Sequence, residues 1–353
     1  MGLRWTDWPR DVLAALRDGT VIPAHPLALD AARRFDLRRQ RALTRYYIDA
    51  GVGGLAVGVH TTQFAIRDVG LYEPVLRSAM ETARGWTKRP LVMIGGVAGR
   101  TAQAVAEGRI ARELGYHAVL TSLAAFKGAT DDEMIAHCRA IAAEVPLVGF
   151  YLQPAVGGRV LSAQFWRRFA EIENVVAIKM APFNRYKTLD VLRGVAMAGA
   201  QDRISLYTGN DDHIVLDLLA PFPVDAGERS VTMRIVGGLL GHWSVWAKTA
   251  VELLARIKAV RGSGSVPEDL LALDAEVTDC NAAIFDVAND FHGVIAGCHE
   301  ILRRQGLLDG IWCLDPNESL GPGQAAELDR VCRRYPHLAD DAFVRSNLAR
   351  WLG

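Results

Sequence analysis

The stretch VPLVGFYLQPAVGGRVLSAQFWRRFAEIENVVAIKMA, residues 145–181, holds two apolar runs on either side of an amphipathic segment. The runs VPLVGFYL (145–152) and VVAIKM (175–180) are short and almost wholly apolar, which is typical of strands buried on both faces. The segment between them, SAQFWRRFAEIE, has a helical pattern and opens on a serine suited to a helix N-cap. This order predicts a strand–helix–strand unit of a parallel sheet.

The same alternation continues through the first 243 residues. Eight apolar runs occur, and helical patterns separate them: GTVIPAHPL (19–27), GGLAVGV (53–59), RPLVMIGGV (89–97), HAVLTSL (117–123), VPLVGFYL (145–152), VVAIKM (175–180), RISLYTG (203–209) and part of VTMRIVGGLLGHW (231–243). Eight strands alternating with helices predict an α/β fold, the (β/α)8 TIM barrel. A doubly wound sheet is the alternative.

From about residue 245 the pattern is helical, with no run that looks like a strand. Segments such as EDLLALDAEVTDCNAAIFDVA and GVIAGCHEILRRQG are separated by breaks rich in Gly, Pro and Ser. We predict a barrel with a short N-terminal helical extension over residues 1–245 and a C-terminal helical appendage over residues 246–353.

Composition limits the classes of partner. Lys plus Arg and Asp plus Glu both number 40, so the net charge is zero and nothing points to a nucleic acid or an anionic membrane. The five cysteines are scattered and form no CxxC pair, which indicates free thiols in a reducing cytoplasm. The N-terminus lacks the apolar core of a signal peptide, and no apolar run of about 18 residues occurs. We expect a soluble, cytoplasmic protein.

Lys179 stands near the end of the sixth apolar run. A buried ammonium costs several kcal/mol unless it is paired or loses its proton. The run alone allows two interpretations. The lysine either extends its amine to solvent, or it keeps a desolvated amine as a nucleophile.

Catalytic groups of a TIM barrel lie at the C-terminal ends of its strands, and polar residues follow several of the predicted strands. A lysine amine, a phenol and hydroxyls in one cavity suit carbonyl chemistry, because lysine condenses with a ketone to a Schiff base and a phenol moves protons. The candidates for catalysis are Lys179 and Tyr151, and those for substrate binding are His60, Thr61, Thr62, Gly209, Asn210, Asp211 and His242.

Each candidate also has a structural interpretation. Tyr151 and the two threonines suit a strand without any catalytic role, and Asp211 suits a loop cap. His60 and His242 resemble core histidines bonded to the backbone. No H-x-x-x-H or H-x-H spacing occurs, so we expect no metal. GGVAGRTAQAVAEG matches neither a P-loop nor a dinucleotide site, so we expect no cofactor.

The chain resembles the dihydrodipicolinate synthase / N-acetylneuraminate lyase family of class I aldolases from about residue 18 to 310. The resemblance rests on four segments in order: GTVIPAHPLALD, AGVGGLAVGVHTTQFA, the stretch 145–181 and YTGNDD. The spacing from Tyr151 to Lys179 is also that of the family. The resemblance implies that Lys179 forms a Schiff base with pyruvate or a 2-oxo acid, that Tyr151 handles protons, and that Thr61 and Thr62 hold the carboxylate. It also implies a homo-oligomer, a dimer or tetramer.

The sequence departs from the family's pattern at several positions. His60 replaces a glycine, and Gln63 stands where Gly-Glu is usual. Val156 occupies the place of the synthase arginine, with Arg159 three residues later, and Phe126 stands where the synthase brings a tyrosine from a neighbouring subunit. APFPVDAGERSVTMR (220–234) is interpreted as an insertion before the eighth strand, and about 40 C-terminal residues extend past the family's usual end.

These departures argue against lysine biosynthesis. The sequence therefore predicts a Schiff-base aldolase or lyase that makes or breaks a C–C bond beside the carbonyl of a 2-oxo acid. Two alternatives stay open: a sugar-acid dehydratase or hydratase-aldolase that uses the same imine, and a non-catalytic barrel that binds a 2-oxo acid.

Overall fold

The computed structural model describes residues 2–226 and 229–353. These residues form nine β-strands and thirteen α-helices. The strands are β1 (Val21–Pro23), β2 (Gly54–Val57), β3 (Val92–Val97), β4 (Ala118–Thr121), β5 (Leu147–Leu152), β6 (Val175–Ala181), β7 (Ser205–Thr208), β8 (Pro221–Ala226) and β9 (Arg229–Leu240). The helices are α1 (Arg10–Asp18), α2 (Leu37–Ala50), α3 (Tyr72–Trp86), α4 (Thr101–Leu114), α5 (Asp131–Ala142), α6 (Ala163–Ala170), α7 (Arg185–Met197), α8 (Ile214–Leu219), α9 (Ala247–Val260), α10 (Glu268–Ile284), α11 (Val294–Arg304), α12 (Gln324–Arg334) and α13 (Asp341–Leu352).

Eight of the strands run parallel and form a nearly closed barrel. Their order in the sheet is β1–β9–β7–β6–β5–β4–β3–β2, and a parallel bridge between Ala24 and Ala56 links the two ends of that order. Each strand from β1 to β7 falls on one predicted apolar run, with β6 ending one residue past its run, and the eighth run carries most of β9. The predicted (β/α)8 barrel with a C-terminal helical region is therefore confirmed.

Local side-chain chemistry sets the ends of the surrounding helices. The Ser162 hydroxyl accepts a hydrogen bond from the Phe165 amide (3.1 Å) and caps α6, as the sequence predicted. Asp36 caps α2 in the same way. Helix α2 then ends at Gly51, whose φ of 98° lies in the left-handed region that favours glycine.

The predicted insertion at residues 220–234 folds as a β-hairpin. Strand β8 pairs antiparallel with the first half of β9, from Pro221 opposite Arg234 to Ala226 opposite Arg229. The second half of β9 continues into the barrel, where it pairs with β7 and β1. Residues 227–228 lie outside the described residues. The first half of β9 thus projects beyond the barrel sheet as one arm of the hairpin.

The N-terminal helix α1 covers the end of the barrel where the strands begin. Trp8, Val12 and Leu16 are buried in the same apolar cluster as the side chains inside the barrel. The Trp8 ring lies 5.4 Å from the ring of His117, just before β4. The Tyr207 hydroxyl donates a hydrogen bond to the Leu16 carbonyl (2.7 Å). Helix α1 therefore covers the barrel interior at this end.

The C-terminal helices pack back on the barrel. Helix α9 contacts α2, α8 and β1, in the place of the eighth barrel helix. The last helix, α13, packs on α2, where Trp351 is fully buried against Tyr46 with ring centroids 5.4 Å apart. The Trp351 indole N–H donates to the carboxylate of Asp49. The boundary at residue 245 between barrel and appendage stays a prediction.

The described part of the chain contains no helix that is both long and apolar enough to cross a membrane. The five cysteines are free thiols, and all but Cys332 are buried. Burial raises the pKa of the Cys298 thiol above its usual range, so this thiol is protonated at neutral pH.

Trp351 tests whether the C-terminal extension stabilises the barrel. Trp351→Ala should lower the free energy of unfolding by about 3–5 kcal/mol, because it leaves a large cavity beside α2 and removes the indole hydrogen bond to Asp49. Denaturant titration followed by circular dichroism measures the loss. Leu352→Ala is the matched control, since its half-buried side chain should cost about 1 kcal/mol. Equal small losses in both variants would show that α13 adds little to stability.

Candidate active site

A cavity opens at the C-terminal ends of the barrel strands. Its volume is about 660 Å³, including the space at its mouth that is open to solvent. Its walls come from the ends of β5 and β6, from the loops after β1, β2, β5, β6, β7 and β9, and from α11 with the residues before it. The lining residues are Ala24, Val59, His60, Thr61, Phe150, Leu152, Gln153, Val156, Lys179, Ala181, Phe183, Gly209, Asp211, Gly241, Phe285, Phe291, Val294, Ile295 and Cys298.

Lys179 lies on β6 with its side chain in this cavity. It pairs with Phe150 of β5 and with Tyr207 of β7, and only 8% of it is exposed. The amine lies 4.4 Å from the centre of the Phe150 ring. Burial lowers the pKa of Lys179 from 10.5 to about 8, against the opposing charge of Asp211. A substantial fraction of this amine is therefore neutral near pH 7.

Gly209 makes room for the lysine side chain. A Cβ atom at this position would lie 2.6 Å from Lys179 Cε and 3.0 Å from the Cβ of Ala181. Such distances are too short for any side chain to fit without moving the lysine. The glycine after β7 is thus required by the close approach of Lys179.

Asp211 is the second ionisable group of the cavity. It is 5% exposed, and its Oδ1 accepts a hydrogen bond from the backbone N–H of His242 (3.0 Å). Burial raises the pKa of Asp211, while the charge of Lys179 acts in the opposite direction. Because burial disfavours the charge on both groups, the ion pair and the neutral pair come close in free energy. The charges of the two groups therefore act on each other within the same cavity.

Tyr151 does not face the cavity, which corrects the prediction that its phenol lies beside the amine. Successive side chains of a strand point to opposite faces, and Phe150 takes the inward position opposite Lys179. Tyr151 points outward against Trp166, with ring centroids 5.4 Å apart. Its hydroxyl donates to the Leu161 carbonyl (3.2 Å) and accepts from the Leu161 amide (3.1 Å).

Of the predicted substrate-binding residues, the cavity brings together His60, Thr61, Gly209 and Asp211 with Lys179. Burial, assisted by the charge of Lys179, lowers the pKa of His60 to about 4, so this ring is neutral at pH 7.

Three other predicted residues lie outside the cavity and form hydrogen bonds to residues next to it. The Thr62 hydroxyl donates to the His25 carbonyl (2.7 Å) and accepts from the Gly58 amide. Asn210 Oδ1 accepts from the Phe183 amide (3.1 Å). The His242 backbone orients Asp211, as described above, and its ring lies beside Asn281. None of the three side chains lines the cavity.

The departures from the family pattern also have structural counterparts. Gln63 has a positive φ of 68°, which glycine adopts more easily, and its Oε1 accepts from the amide of Leu314 in the C-terminal extension (2.6 Å). Phe126 is buried in its own chain, 4.4 Å from the ring of His137. Arg159 donates to the Phe126 carbonyl and does not line the cavity.

Sequence analysis missed the apolar part of the cavity wall. Phe183 follows β6, whereas Phe285, Phe291 and Ile295 come from the end of α10, the loop after it and α11. The position of Phe183, four residues after Lys179, was a usable signal because loops after barrel strands form the site. The other three carry no local signal, since only tertiary packing brings α10 and α11 over the barrel mouth.

The arrangement of potential metal ligands bears on the prediction that the site holds no metal. Within residues 2–226 and 229–353, no three His, Cys, Asp or Glu side chains cluster so as to hold a metal ion. The absence of a metal from the chemistry of this site stays a prediction.

Known proteins resemble the chain in sequence. The chain is 24% identical over 324 residues to N-acetylneuraminate lyase 2 of Escherichia coli O6:H1, covering 91% of this chain and 94% of the relative. It is 29% identical over 221 residues to 4-hydroxy-tetrahydrodipicolinate synthase of Desulforudis audaxviator, covering 62% of this chain and 71% of the relative.

Solved structures show the same fold. The dihydrodipicolinate synthase of Acinetobacter baumannii, solved with pyruvate, matches with a TM-score of 0.71 at 20% identity, covering 89% of this chain and 98% of that one. CdNal of Clostridium difficile, solved with mannosamine, matches with a TM-score of 0.71 at 16% identity, covering 90% and 99%.

The sequence profile of the dihydrodipicolinate synthetase family matches residues 18–243, more than half of the chain. The matched range includes all eight barrel strands and the lysine of the cavity. The chain therefore belongs to the dihydrodipicolinate synthetase family.

Proposed function

We propose that this chain is a Schiff-base-forming lyase that acts on pyruvate or a related 2-oxo acid and makes or breaks the C–C bond beside its carbonyl. The observation that carries the proposal is the Lys179 amine, buried at the C-terminal end of β6 with a lowered pKa. Family membership supports it, since curated relatives are named as a lyase and as synthases.

The lowered pKa makes the amine a competent nucleophile. At pH 7 an amine with a pKa of 10.5 is neutral in about 0.03% of molecules, whereas one with a pKa of 8 is neutral in about 10%. Only the neutral amine attacks a ketone. Burial thus raises the reactive fraction by a factor of about 300, without a separate general base.

The proposed reaction begins with attack of the Lys179 amine on the C2 carbonyl and loss of water to a protonated imine. The imine accepts electrons from C3, so loss of a C3 proton gives an enamine. The enamine attacks an aldehyde carbonyl, whose oxygen takes up a proton, and water then hydrolyses the imine. The reverse sequence is cleavage.

The proton steps need a group beside the amine, and we assign them to Asp211. It lines the cavity, and its charge acts on Lys179. The Thr61 hydroxyl, in the same cavity, is assigned to the substrate carboxylate. Tyr151 has its hydroxyl bonded to Leu161 on the far face of β5. We therefore assign to the Asp211 carboxyl the proton transfers that the family resemblance implies for the Tyr151 phenol.

The first test concerns Lys179. Borohydride with pyruvate should trap a stable adduct on wild-type protein, because reduction fixes the imine, and peptide mass spectrometry should locate it at Lys179. Lys179→Ala should abolish the adduct. Lys179→Arg should abolish it too, since a guanidinium stays protonated and does not attack.

Lys187→Ala is the matched control, because Lys187 is paired with Asp190 (3.0 Å), which raises its pKa. This variant should keep the full adduct. An adduct at another lysine, or none with any 2-oxo acid tried, would contradict the proposed function.

The second test separates Asp211 from Tyr151. Exchange of the C3 protons of pyruvate into D2O, followed by proton NMR, reports enamine formation and needs no second substrate. Asp211→Asn should lower the exchange rate by about 10²–10⁴, the usual contribution of a positioned proton carrier. Tyr151→Phe should change the exchange rate by less than about threefold and lower stability by about 1–2 kcal/mol through its two lost hydrogen bonds.

Asp212→Asn is the control for Asp211, because the neighbouring carboxylate faces Arg185 (3.5 Å) outside the cavity. Its exchange rate should match that of wild type. If Tyr151→Phe lost exchange while Asp211→Asn kept it, the phenol would be the proton carrier and our assignment would be wrong.

The outward position of Tyr151 also favours one competing function, a barrel that binds a 2-oxo acid without turnover. A borohydride adduct at Lys179 without any C3 exchange would support that function. The sugar-acid dehydratase uses the same imine and would instead show turnover of a sugar acid without release of pyruvate.

We also propose a cytoplasmic homo-oligomer, a dimer or tetramer. Two large apolar side chains, Tyr186 on α7 and Val160 between β5 and α6, are 79% and 65% exposed, and an interface would cover them. Light scattering at micromolar concentration should give a mass of at least twice 38.5 kDa. Tyr186→Ser with Val160→Ser should shift that mass downward, whereas a monomeric wild type would contradict the proposal.

A further inference from the structure

Few polar side chains line the cavity, and three of them, Lys179, Asp211 and Thr61, are already assigned to the reaction or to the pyruvate carboxylate. His60 is a fourth, and Gln153 adds one amide. The remaining wall is apolar. We use the name aromatic wall for five of these apolar side chains: Phe183, Phe285, Phe291, Val156 and Ile295.

Part of the aromatic wall lies at the mouth of the cavity. Phe183, Phe291 and Val156 are half-buried, whereas Lys179 and Asp211 are nearly fully buried. The more exposed side chains therefore lie between the amine and solvent. A substrate condensing with the pyruvate enamine must place its remaining substituent along this wall.

Cationic groups are scarce in the cavity. Among the described residues that line it, Lys179 is the one basic side chain besides His60, which is neutral at pH 7. Arg159 does not line the cavity, and its Nη1 donates to the Phe126 carbonyl and to Met134 Sδ (3.3 Å). A second carboxylate or a phosphate would therefore be desolvated without a partner, which costs several kcal/mol.

Two phenylalanines of the wall have strained backbones. Phe183 and Phe291 have φ angles of 49° and 66°, a region that bulky residues rarely adopt. Their rings meet edge to face with centroids 5.8 Å apart. Strain of this kind persists only where the surrounding structure holds it, and it clusters at ligand sites.

Specific hydrogen bonds hold both strained residues. The Phe183 amide donates to Asn210 Oδ1 (3.1 Å). The Phe291 amide donates to the Asp286 carbonyl (3.1 Å), and the buried Asp286 carboxylate in turn accepts from the Gly293 amide (3.0 Å). The ring pair is thus fixed in place by buried polar groups on two separate loops.

We propose that the second substrate is an aldehyde whose substituent is apolar and aromatic, held against the aromatic wall. This inference rests on the proposed function of Lys179. Condensation with pyruvate gives a 4-hydroxy-2-oxo acid: the C3 proton is lost, the new C–C bond forms, and the aldehyde oxygen gains a proton. A hydroxylated or anionic aldehyde would leave its polar groups unpaired against phenyl rings.

The test compares three aldehydes with pyruvate, and product is followed by mass spectrometry. Benzaldehyde carries an aromatic substituent, erythrose a polyhydroxylated one and succinic semialdehyde an anionic one. The kcat/KM for benzaldehyde should exceed both others by at least about 100-fold. Phe291→Asn should lower the benzaldehyde value about tenfold or more, because asparagine tolerates the positive φ but removes the ring. Phe183→Asn tests the same wall from the other loop.

Asp290→Asn is the matched control, since Asp290 is exposed, has a φ of 54° and does not line the cavity. It should leave the benzaldehyde value unchanged. A preference for erythrose or succinic semialdehyde, with C3 exchange of pyruvate intact, would overturn the aromatic substrate and leave the lyase standing.

If no 2-oxo acid forms an adduct, the proposed lyase function is wrong. A binding experiment then still tests whether the aromatic wall binds an aromatic group. Saturation-transfer NMR with benzyl alcohol and erythritol needs no chemistry. Transfer to benzyl alcohol alone, lost in Phe291→Asn, would support an aromatic subsite. Equal transfer to both alcohols, or to neither, would overturn it.

Discussion

The site depends on keeping one amine out of water. Lys179 is 8% exposed in a cavity whose other walls are mostly apolar, and burial lowers its pKa to about 8. The neighbouring requirements follow from that burial. Gly209 must lack a side chain because the lysine stem passes within contact distance. Asp211 lines the same cavity, where burial raises its own pKa and its charge acts on the amine. An exposed lysine at this position would need neither residue.

Chemistry and substrate choice come from different parts of the chain. The amine, the carboxyl and Thr61 stand on barrel strands or their loops, inside the range that the family profile matches. Much of the aromatic wall comes from residues 285–295, beyond that range. Under the proposed function, the barrel supplies the reaction, and the helices packed over its mouth supply the surface that we propose for the second substrate.

The sequence allowed the barrel and the lysine to be predicted, because apolar runs and caps are local signals and strand ends mark the site. The outward direction of Tyr151 was not predictable from its spacing to Lys179. The adjacent β5 residues Leu147 and Val148 pair with Val175 and Ala177, so β6 carries one extra residue at this point. This bulge places Lys179 opposite Phe150 rather than Tyr151. Phe285 and Phe291 were missed because only the packing of α10 and α11, far along the chain, brings them to the cavity.

The central claim is physical, that the protein holds the Lys179 amine at a lowered pKa, and it is open to direct measurement. Protein labelled with ¹³C at the lysine ε-carbon can be titrated by NMR, with Lys179→Arg assigning the signal. The account predicts a midpoint near pH 8 for Lys179, while exposed lysines titrate near 10.4. In Asp211→Asn the midpoint should fall further, since the carboxylate charge raises the pKa of the amine. A Lys179 midpoint at or above the ordinary value would contradict the account.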